Sequence, residues 1–422
     1  MFQILRNAWK VPDVRKKILY TLMMLLIFRL GAFLPIPGVN PSYIASQVSQ
    51  YDILGFVNLM NGGALGNFTL FALGISPYIN ASIIMNLLTI AIPSLERMAK
   101  EDDGREKIER ITRVVGVALG AVMALGFVLS MGSGAVLPSD TVPVWFTYIA
   151  IVLVATAGCA LCMWIGERIT EKGIGNGISL LIFAGIASQV LPTLISYFKM
   201  VFSGAITFWL VPVLVVLILV VVAALTLVDL GERRVPVQYA KRVVGRKMYG
   251  GNSTNIPMRV NQNGVMPLIF AMTIIQFPGM IAQFWPNSGF YAWYTKYLGS
   301  GSVIYMIVYA LLIVGFAYFY TAISFNPIEI SKNMQANGGF IPGIRPGRPT
   351  SDYLSKISTR LTLFSAVFLA VIAAVPTMLS SLMGGMSAFG ATSLMILVSV
   401  ALETSKTLEA ELTMRNYKGF LK

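Results

Sequence analysis

The chain has 422 residues, 56% of them hydrophobic and 12% charged, with a mean hydropathy of +0.73 and a formal net charge of +14. Soluble domains carry about 25% charged residues, so an ordinary soluble fold is excluded and a polytopic membrane protein of about ten spans is implied. Histidine is absent, which removes the commonest metal ligand and the usual neutral-pH general base, while the cationic excess points to an anionic neighbour, lipid headgroups or nucleic-acid phosphate.

A basic segment, 1–17, opens the chain with Arg6, Lys10, Arg15, Lys16 and Lys17. The apolar run from about Ile18 to Leu34 is too long for the core of a cleaved signal peptide, and further spans follow it. Ten such runs can be drawn, near 18–35, 69–92, 111–131, 144–164, 178–198, 206–228, 265–284, 303–324, 358–379 and 387–403. Of the 32 lysines and arginines, all but Lys199, Lys296 and Arg29 fall in segments on one side of this layout. That bias puts both termini, including the tail 404–422, in the cytoplasm. The expected fold is all-α and polytopic, with five transmembrane helices in an N-terminal half, 18–198, and five in a C-terminal half, 199–403. An odd number per half makes the halves inverted across the membrane. No similarity between their sequences supports this, so it rests on geometry alone.

Several connections stand out. Residues 55–68, GFVNLMNGGALGNF, precede the second span on the outside. They are too short to cross and too apolar for a solvated loop, so they must rest within protein or line a cavity. Cys159 and Cys162 form CALC inside an apolar run, where free cysteine acts as a small hydrophobe. GIGNG at 173–177 reads as a tight turn entering the fifth span. In 229–264, Val235, Val237 and Tyr239 alternate with other residues at strand period. GRKMYGGNST supplies a turn and NIPMRVNQ a return strand, so a cytoplasmic β-hairpin is expected with Arg242, Arg246 and Lys247 towards its tip. The loop 325–357 leads into GGFIPGIRPGRP, 338–349, where prolines fix the backbone and glycines permit turns between them. Its Arg345 and Arg348 are therefore held on a stiff support. Both basic loops can equally be read as solvated faces that set topology.

Charge is nearly absent from the spans. Arg29 alone lies clearly inside one, with backbone carbonyls or another group as partner, and it is assigned no chemistry. Asp229 and Glu403 sit at span ends. Ion-coupled transporters use intramembrane charge, so a secondary transporter of a small solute is the weaker alternative. A membrane-embedded enzyme is weaker still, since it needs a nucleophile and base or metal ligands at membrane depth. There is no GxxxxGK[ST] phosphate-binding loop. No catalytic residue, metal site or cofactor is assigned.

The stretches FRLGAFLPIPGV (28–39), FALGISPYINASIIMNLL (71–88), ITEKGIGNGISLLIFAGI (169–186), VQYAKRVVGRKMYGG (237–251), GVMPLIF (264–270), FNPIEISKNMQANGGFIPGIRPG (325–347) and GATSLMILV (390–398) occur in the same order as in the bacterial SecY family of protein-conducting channels, which the whole chain resembles. The resemblance implies two five-helix halves around a central hourglass pore in the bacterial plasma membrane. It implies a waist ring of Ile75, Ile79, Ile182, Ile186, Ile269 and Ile396. It also implies a plug in 55–68, formed by Gly55, Phe56, Val57, Asn58, Leu59, Met60, Asn61, Gly62, Gly63, Ala64 and Leu65. Ile75/Ile79 and Ile182/Ile186 are each spaced i, i+4 and so share a helix face; isoleucine in a membrane helix is otherwise filler.

A lateral gate is implied between the second and third spans and the seventh and eighth. Gly74, Ser76, Pro77, Asn80, Ser82 and Asn86 make the second span unusually polar, and Asn86 and Gln276 are the candidate contact across that gate. Arg242, Arg246, Lys247 and Arg345 match the surface that meets the SecA motor ATPase or the ribosome. The implied partners are the small membrane subunits SecE and SecG, SecA, the ribosome, signal sequences, nascent polypeptides and membrane lipids. The implied activity is passage of unfolded polypeptides through a passive pore and release of transmembrane segments sideways into lipid.

Overall fold

The computed structural model describes residues 2–50, 58, 60–131, 134, 136–137, 143–203, 210–239, 242–244, 247–249, 253–282, 285, 288–299, 302–382 and 391–419. The chain divides into two compact units. The first is Met1–Pro212, Thr273–Tyr305 and Val400–Lys422; the second is Val213–Met272 and Met306–Ser399. The expected N-terminal half, 18–198, falls wholly in the first unit. The expected C-terminal half is divided, since 273–305 and the last helix beyond Ser399 cluster with the first.

Helices dominate both units. In chain order they are α1 (Phe2–Lys10), α2 (Pro12–Gly31), α3 (Pro41–Gln50), α4 (Ser76–Ala91), α5 (Pro93–Lys100), α6 (Asp102–Met131), α7 (Val144–Lys172), α8 (Gly177–Phe202) and α9 (Leu210–Leu230). After the strands come α10 (Met266–Ala282), α11 (Gly289–Leu298), α12 (Val303–Ser324), α13 (Pro327–Ala336), α14 (Arg348–Leu382) and α15 (Ala391–Gly419). Each of the ten predicted apolar runs coincides with a helix. Asp103–Leu129, Val144–Lys172, Val303–Ala336 and Arg348–Ala374 are long and apolar enough to cross a bilayer by themselves, and α4 with α5, bent by 103°, can make a fifth span. The protein is therefore a multi-pass membrane protein.

The second run differs from expectation. Its helix starts at Ser76 rather than near 69. Residues 69–75 are turns, Gly74 is left-handed at φ 55°, and Pro77 sits in the first helical turn, where its missing N–H costs nothing. The helices of the third, fourth, ninth and tenth runs, α6, α7, α14 and α15, extend well past those runs, so part of the basic connections is helical stalk.

The first unit packs around Ile36, Ile44, Leu65, Phe68, Phe127 and Ile151. The second unit carries a sheet of order β4–β1–β5, made by β1 (Glu232–Tyr239), β4 (Ser253–Arg259) and β5 (Gly339–Phe340). β1 and β4 are antiparallel with Val235 opposite Ile256, as the alternation predicts. A second, short hairpin that the sequence reading did not include, β2 (Arg242–Val244) with β3 (Lys247–Tyr249), extends the loop further.

Candidate functional site

Two irregular regions carry the candidate chemistry, one in each unit. In the first unit, Asn58 and Met60 are helical and residues 61–75 run in turns and bends, with an isolated bridge from Thr69 to Pro35; the stretch packs against α8. Several of its polar groups are paired within the segment, and the Leu70 amide and Phe68 carbonyl pair with Leu34 and Ile36. The Gly63 amide donates to the Asn58 carbonyl at 2.8 Å, and the Gly66 amide donates to Asn58 Oδ1 at 2.7 Å. Asn61 Nδ2 donates to the Ala72 carbonyl at 2.8 Å. Ala64, Leu65 and Phe68 are buried. The region thus rests within protein, which is the condition set by its composition.

The approach of this segment to α8 is backbone on backbone. A Cβ on Gly185 would stand 1.9 Å from the Met60 carbonyl oxygen. A Cβ on Gly62, at φ 67°, would stand 2.2 Å from Arg29 Nη1 and 2.9 Å from Ser188 Oγ. Arg29 Nη1 donates to the Gly62 carbonyl at 3.3 Å, and the guanidinium lies 5.3 Å from the Phe33 ring centroid. Of the plug residues expected from sequence, Asn58, Met60, Asn61, Gly62, Gly63, Ala64 and Leu65 fall here. Gly55, Phe56, Val57 and Leu59 lie outside the described residues.

Ile75, Ile79, Ile182 and Ile186 belong to the first unit and are buried. Ile75 caps α4, and the Ile79 amide donates to its carbonyl at 3.1 Å, so the i, i+4 pairing is realised. Ile75, Ile178 and Leu181 all come within 3.4 Å of the Cβ position of Gly166 on α7. Ile269 and Ile396 belong to the second unit, the first half-buried and the second buried. None of the six is exposed. Asn86 is exposed on α4 and Gln276 is buried on α10, and no hydrogen bond joins them among the described residues. The buried polar residue of α4 is Asn80, whose amide approaches Met123 Sδ at 4.0 Å.

In the second unit the two basic loops share one core. Val235 and Val237 of β1, Met258 of β4, Met334 of α13, Ile341, and Leu354 and Ile357 of α14 pack together. β5 pairs with β1 in the register Gln238 to Phe340 and Tyr239 to Gly339. Beyond β5, Gly343 and Gly347 take left-handed φ of 81° and 96°. The Ile344 amide donates to the Ile341 carbonyl at 3.0 Å, Ser331 Oγ donates to the Gly347 carbonyl at 2.6 Å, and Thr350 Oγ1 donates to the Arg345 carbonyl at 2.9 Å. The loop is thus tied at both ends and in its middle, with Arg345 and Arg348 exposed on top. Arg242 opens β2 and pairs with Tyr249, and Lys247 opens β3 and pairs with Val244; Arg246 and the side chains of all three lie outside the described residues.

Sequence reasoning missed the residues that tie this platform together. Asn326 caps α13 by accepting from the Glu329 amide at 3.3 Å, and the N-x-x-E pattern, followed by Pro327 at the first helical position, was the available signal. Asp229 accepts from Asn261 Nδ2 at 2.6 Å and from Ser399 Oγ at 2.7 Å, joining the end of α9, the foot of the hairpin and α15. The helix α11 was also missed. Its Tyr294 is buried and donates to the Ile275 carbonyl at 3.0 Å, and burial raises its hydroxyl to about 12. Cys159 and Cys162 are buried on α7, as packing cysteines should be.

The SecY family model matches residues 69–405. The protein translocase subunit SecY of Streptomyces scabiei is 44% identical over 443 aligned positions, covering all of both chains. The subunits of the same name from Streptomyces lividans and Halalkalibacterium halodurans are 45% and 43% identical, covering 98% and 100% of each chain. A solved structure described as that of a protein conducting channel superposes with a TM-score of 0.70 at 18% identity, over 96% of each chain. Sec61 in a canine ribosome-channel complex from the endoplasmic reticulum superposes at 0.65 with 18% identity, again over 96% of each.

Proposed function

The chain belongs to the SecY family, and from that membership we propose that it is the channel-forming subunit of a protein translocase in a bacterial plasma membrane. It passes unfolded secretory polypeptides across the membrane and releases transmembrane segments sideways into lipid. Both termini face the cytoplasm. The observation that carries this reading is identity running the full length of both chains to translocase subunits, not to one shared segment.

Each region then has a role. The six isoleucines form a ring that holds back water and ions by dewetting, yet it yields to a passing chain and discriminates little among side chains. The turns around 58–65, with 55–57, are the plug. Asn86 and Gln276 face the lateral gate. The channel is passive: SecA with ATP, or translation, supplies the work, and SecE and SecG complete the membrane complex. Arg345 and the hairpin cations Arg242, Arg246 and Lys247 form the docking rim. Guanidinium suits both the carboxylates of a motor and the phosphates of a ribosome.

The test is reconstitution with SecE, SecA and ATP in vesicles, reading protection of an exported precursor from protease. Arg345→Glu should abolish protection while the thermal transition of the purified channel stays put. Protection at the parent level in that variant would overturn the docking role. Ribosome binding should weaken about fifty-fold between about 50 and 200 mM salt if four cations each release one counterion. A salt-independent affinity would remove the hairpin from the ribosome interface.

A further inference from the structure

A single charge inside an otherwise apolar span is expensive and calls for a partner. Arg29 sits near the end of α2, flanked by exposed Leu26, Leu30 and Phe33. Its guanidinium is turned to the Gly62 carbonyl, and among the described residues no carboxylate pairs with it. The position it approaches is a left-handed glycine, φ 67°, and a Cβ there would meet Nη1 at 2.2 Å, so any larger residue displaces the guanidinium. Gly62 lies at the centre of the tied turns. It adjoins Asn61, whose amide holds Ala72 just ahead of the second span, and Gly63, whose amide holds Asn58.

We propose that Arg29 is the latch that keeps the plug segment seated: its guanidinium is held by the Gly62 carbonyl, and unseating the segment takes that acceptor away. The seated state keeps a charge-assisted hydrogen bond. The unseated state leaves a guanidinium between apolar neighbours until water or a passing backbone carbonyl replaces Gly62. Opening therefore starts against one bond and is helped by a chain that supplies its own carbonyls. The proposal rests on the channel reading above, and it assigns Arg29 as a positioning residue for the closed state.

The experiment is iodide efflux from vesicles holding the full chain with its membrane subunits, with no translocating polypeptide. Arg29→Met keeps the length and apolar stem but removes the donors. It should raise the resting leak about ten- to a hundred-fold, the range of one hydrogen bond to a charged group. Arg29→Lys keeps a charge and a donor and should fall between the two. Gly62→Ala, which drives the same pair apart from the other side, should leak in the same direction and serves where Arg29→Met fails to insert. A parent-level leak in whichever of these variants inserts overturns the latch, and is the result expected if Arg29 merely reaches for headgroups. Polypeptide import in the same vesicles separates the two claims. A parent that imports beside a tight Arg29→Met sinks the latch alone, while a leaking Arg29→Met beside a parent that never imports sinks the channel reading.

Discussion

The turns at 61–75 and the loop at 338–347 are both rich in glycine, flank spans and contain left-handed glycines, but the space around Gly185 and Gly74 differs from that around Gly338 and Gly343. Around the first, glycine makes room: a Cβ on Gly185 would sit 1.9 Å from Met60 O, and one on Gly74 would sit 1.9 Å from Asn61 Oδ1. In the second, glycine supplies a backbone conformation. Gly338 and Gly343 have left-handed φ and nothing within 4 Å of a Cβ. The first region combines that backbone-on-backbone contact with the side chains of Leu65 and Phe68, which are buried in the first unit's core. The second is held by the apolar core beneath it, so it moves only if that core melts.

The largest effect should come from attacking the core under the platform. Val237 is fully buried in the cluster formed with Met258 of β4, Met334 of α13 and Leu354 and Ile357 of α14. Val237→Asp places an unpaired carboxylate there and should cost about 3–5 kcal/mol. Limited proteolysis should then cut within 232–259 while the helical circular dichroism stays near the parent's. A hairpin as resistant as the parent's would show that the loops do not depend on their shared core.

Gly185→Ala should come next, at about 1–3 kcal/mol or more, since the clash is with a carbonyl that cannot rotate away. Gly343→Ala should cost about 1–2 kcal/mol, the ordinary cost of a left-handed alanine. Asparagine sharpens the contrast. It visits the left-handed region readily, so Gly343→Asn should be milder than Gly343→Ala. It is larger, so Gly185→Asn should be worse than Gly185→Ala. Thermal transitions of the four variants read this directly, and the same ranking at both sites would break the distinction.

What the sequence revealed follows the same line. The ten apolar runs were legible because bilayer thickness fixes their length and leaves little else for such residues to do. The β1–β4 hairpin was legible because Val235 and Val237 face one core and their neighbours face away. The start of the second span was not legible. Hydropathy counts Phe71, Ala72 and Leu73 as span, and only the left-handed Gly74 shows why the helix waits until Ser76. Arg29 could be flagged as costly, but its partner is a carbonyl 33 residues away, and backbone acceptors leave no mark on composition. The tie between the two basic loops was hidden too. β5 is only two residues long and carries no period to detect.

The smallest predicted effect concerns how the platform holds Arg345 in place. Ser331 is buried on α13, and its hydroxyl donates to the Gly347 carbonyl at 2.6 Å, one residue before α14 begins. Ser331→Ala removes one neutral hydrogen bond and strands no charge, so the loss should be about 0.5–1.5 kcal/mol. Its consequence for docking should be of the same order. The Gly347 carbonyl also accepts from the Thr350 and Ser351 amides, and Thr350 in turn holds the Arg345 carbonyl. If Arg345 docks a motor as proposed, loosening Gly347 frees the arginine to sample more positions and lowers that affinity without changing charge. Binding of the motor to Ser331→Ala should weaken several-fold and keep the parent's salt dependence, whereas Arg345→Glu should lose that dependence along with the affinity. If Ser331→Ala binds as the parent does, the stiffness of this loop matters to the fold and not to docking.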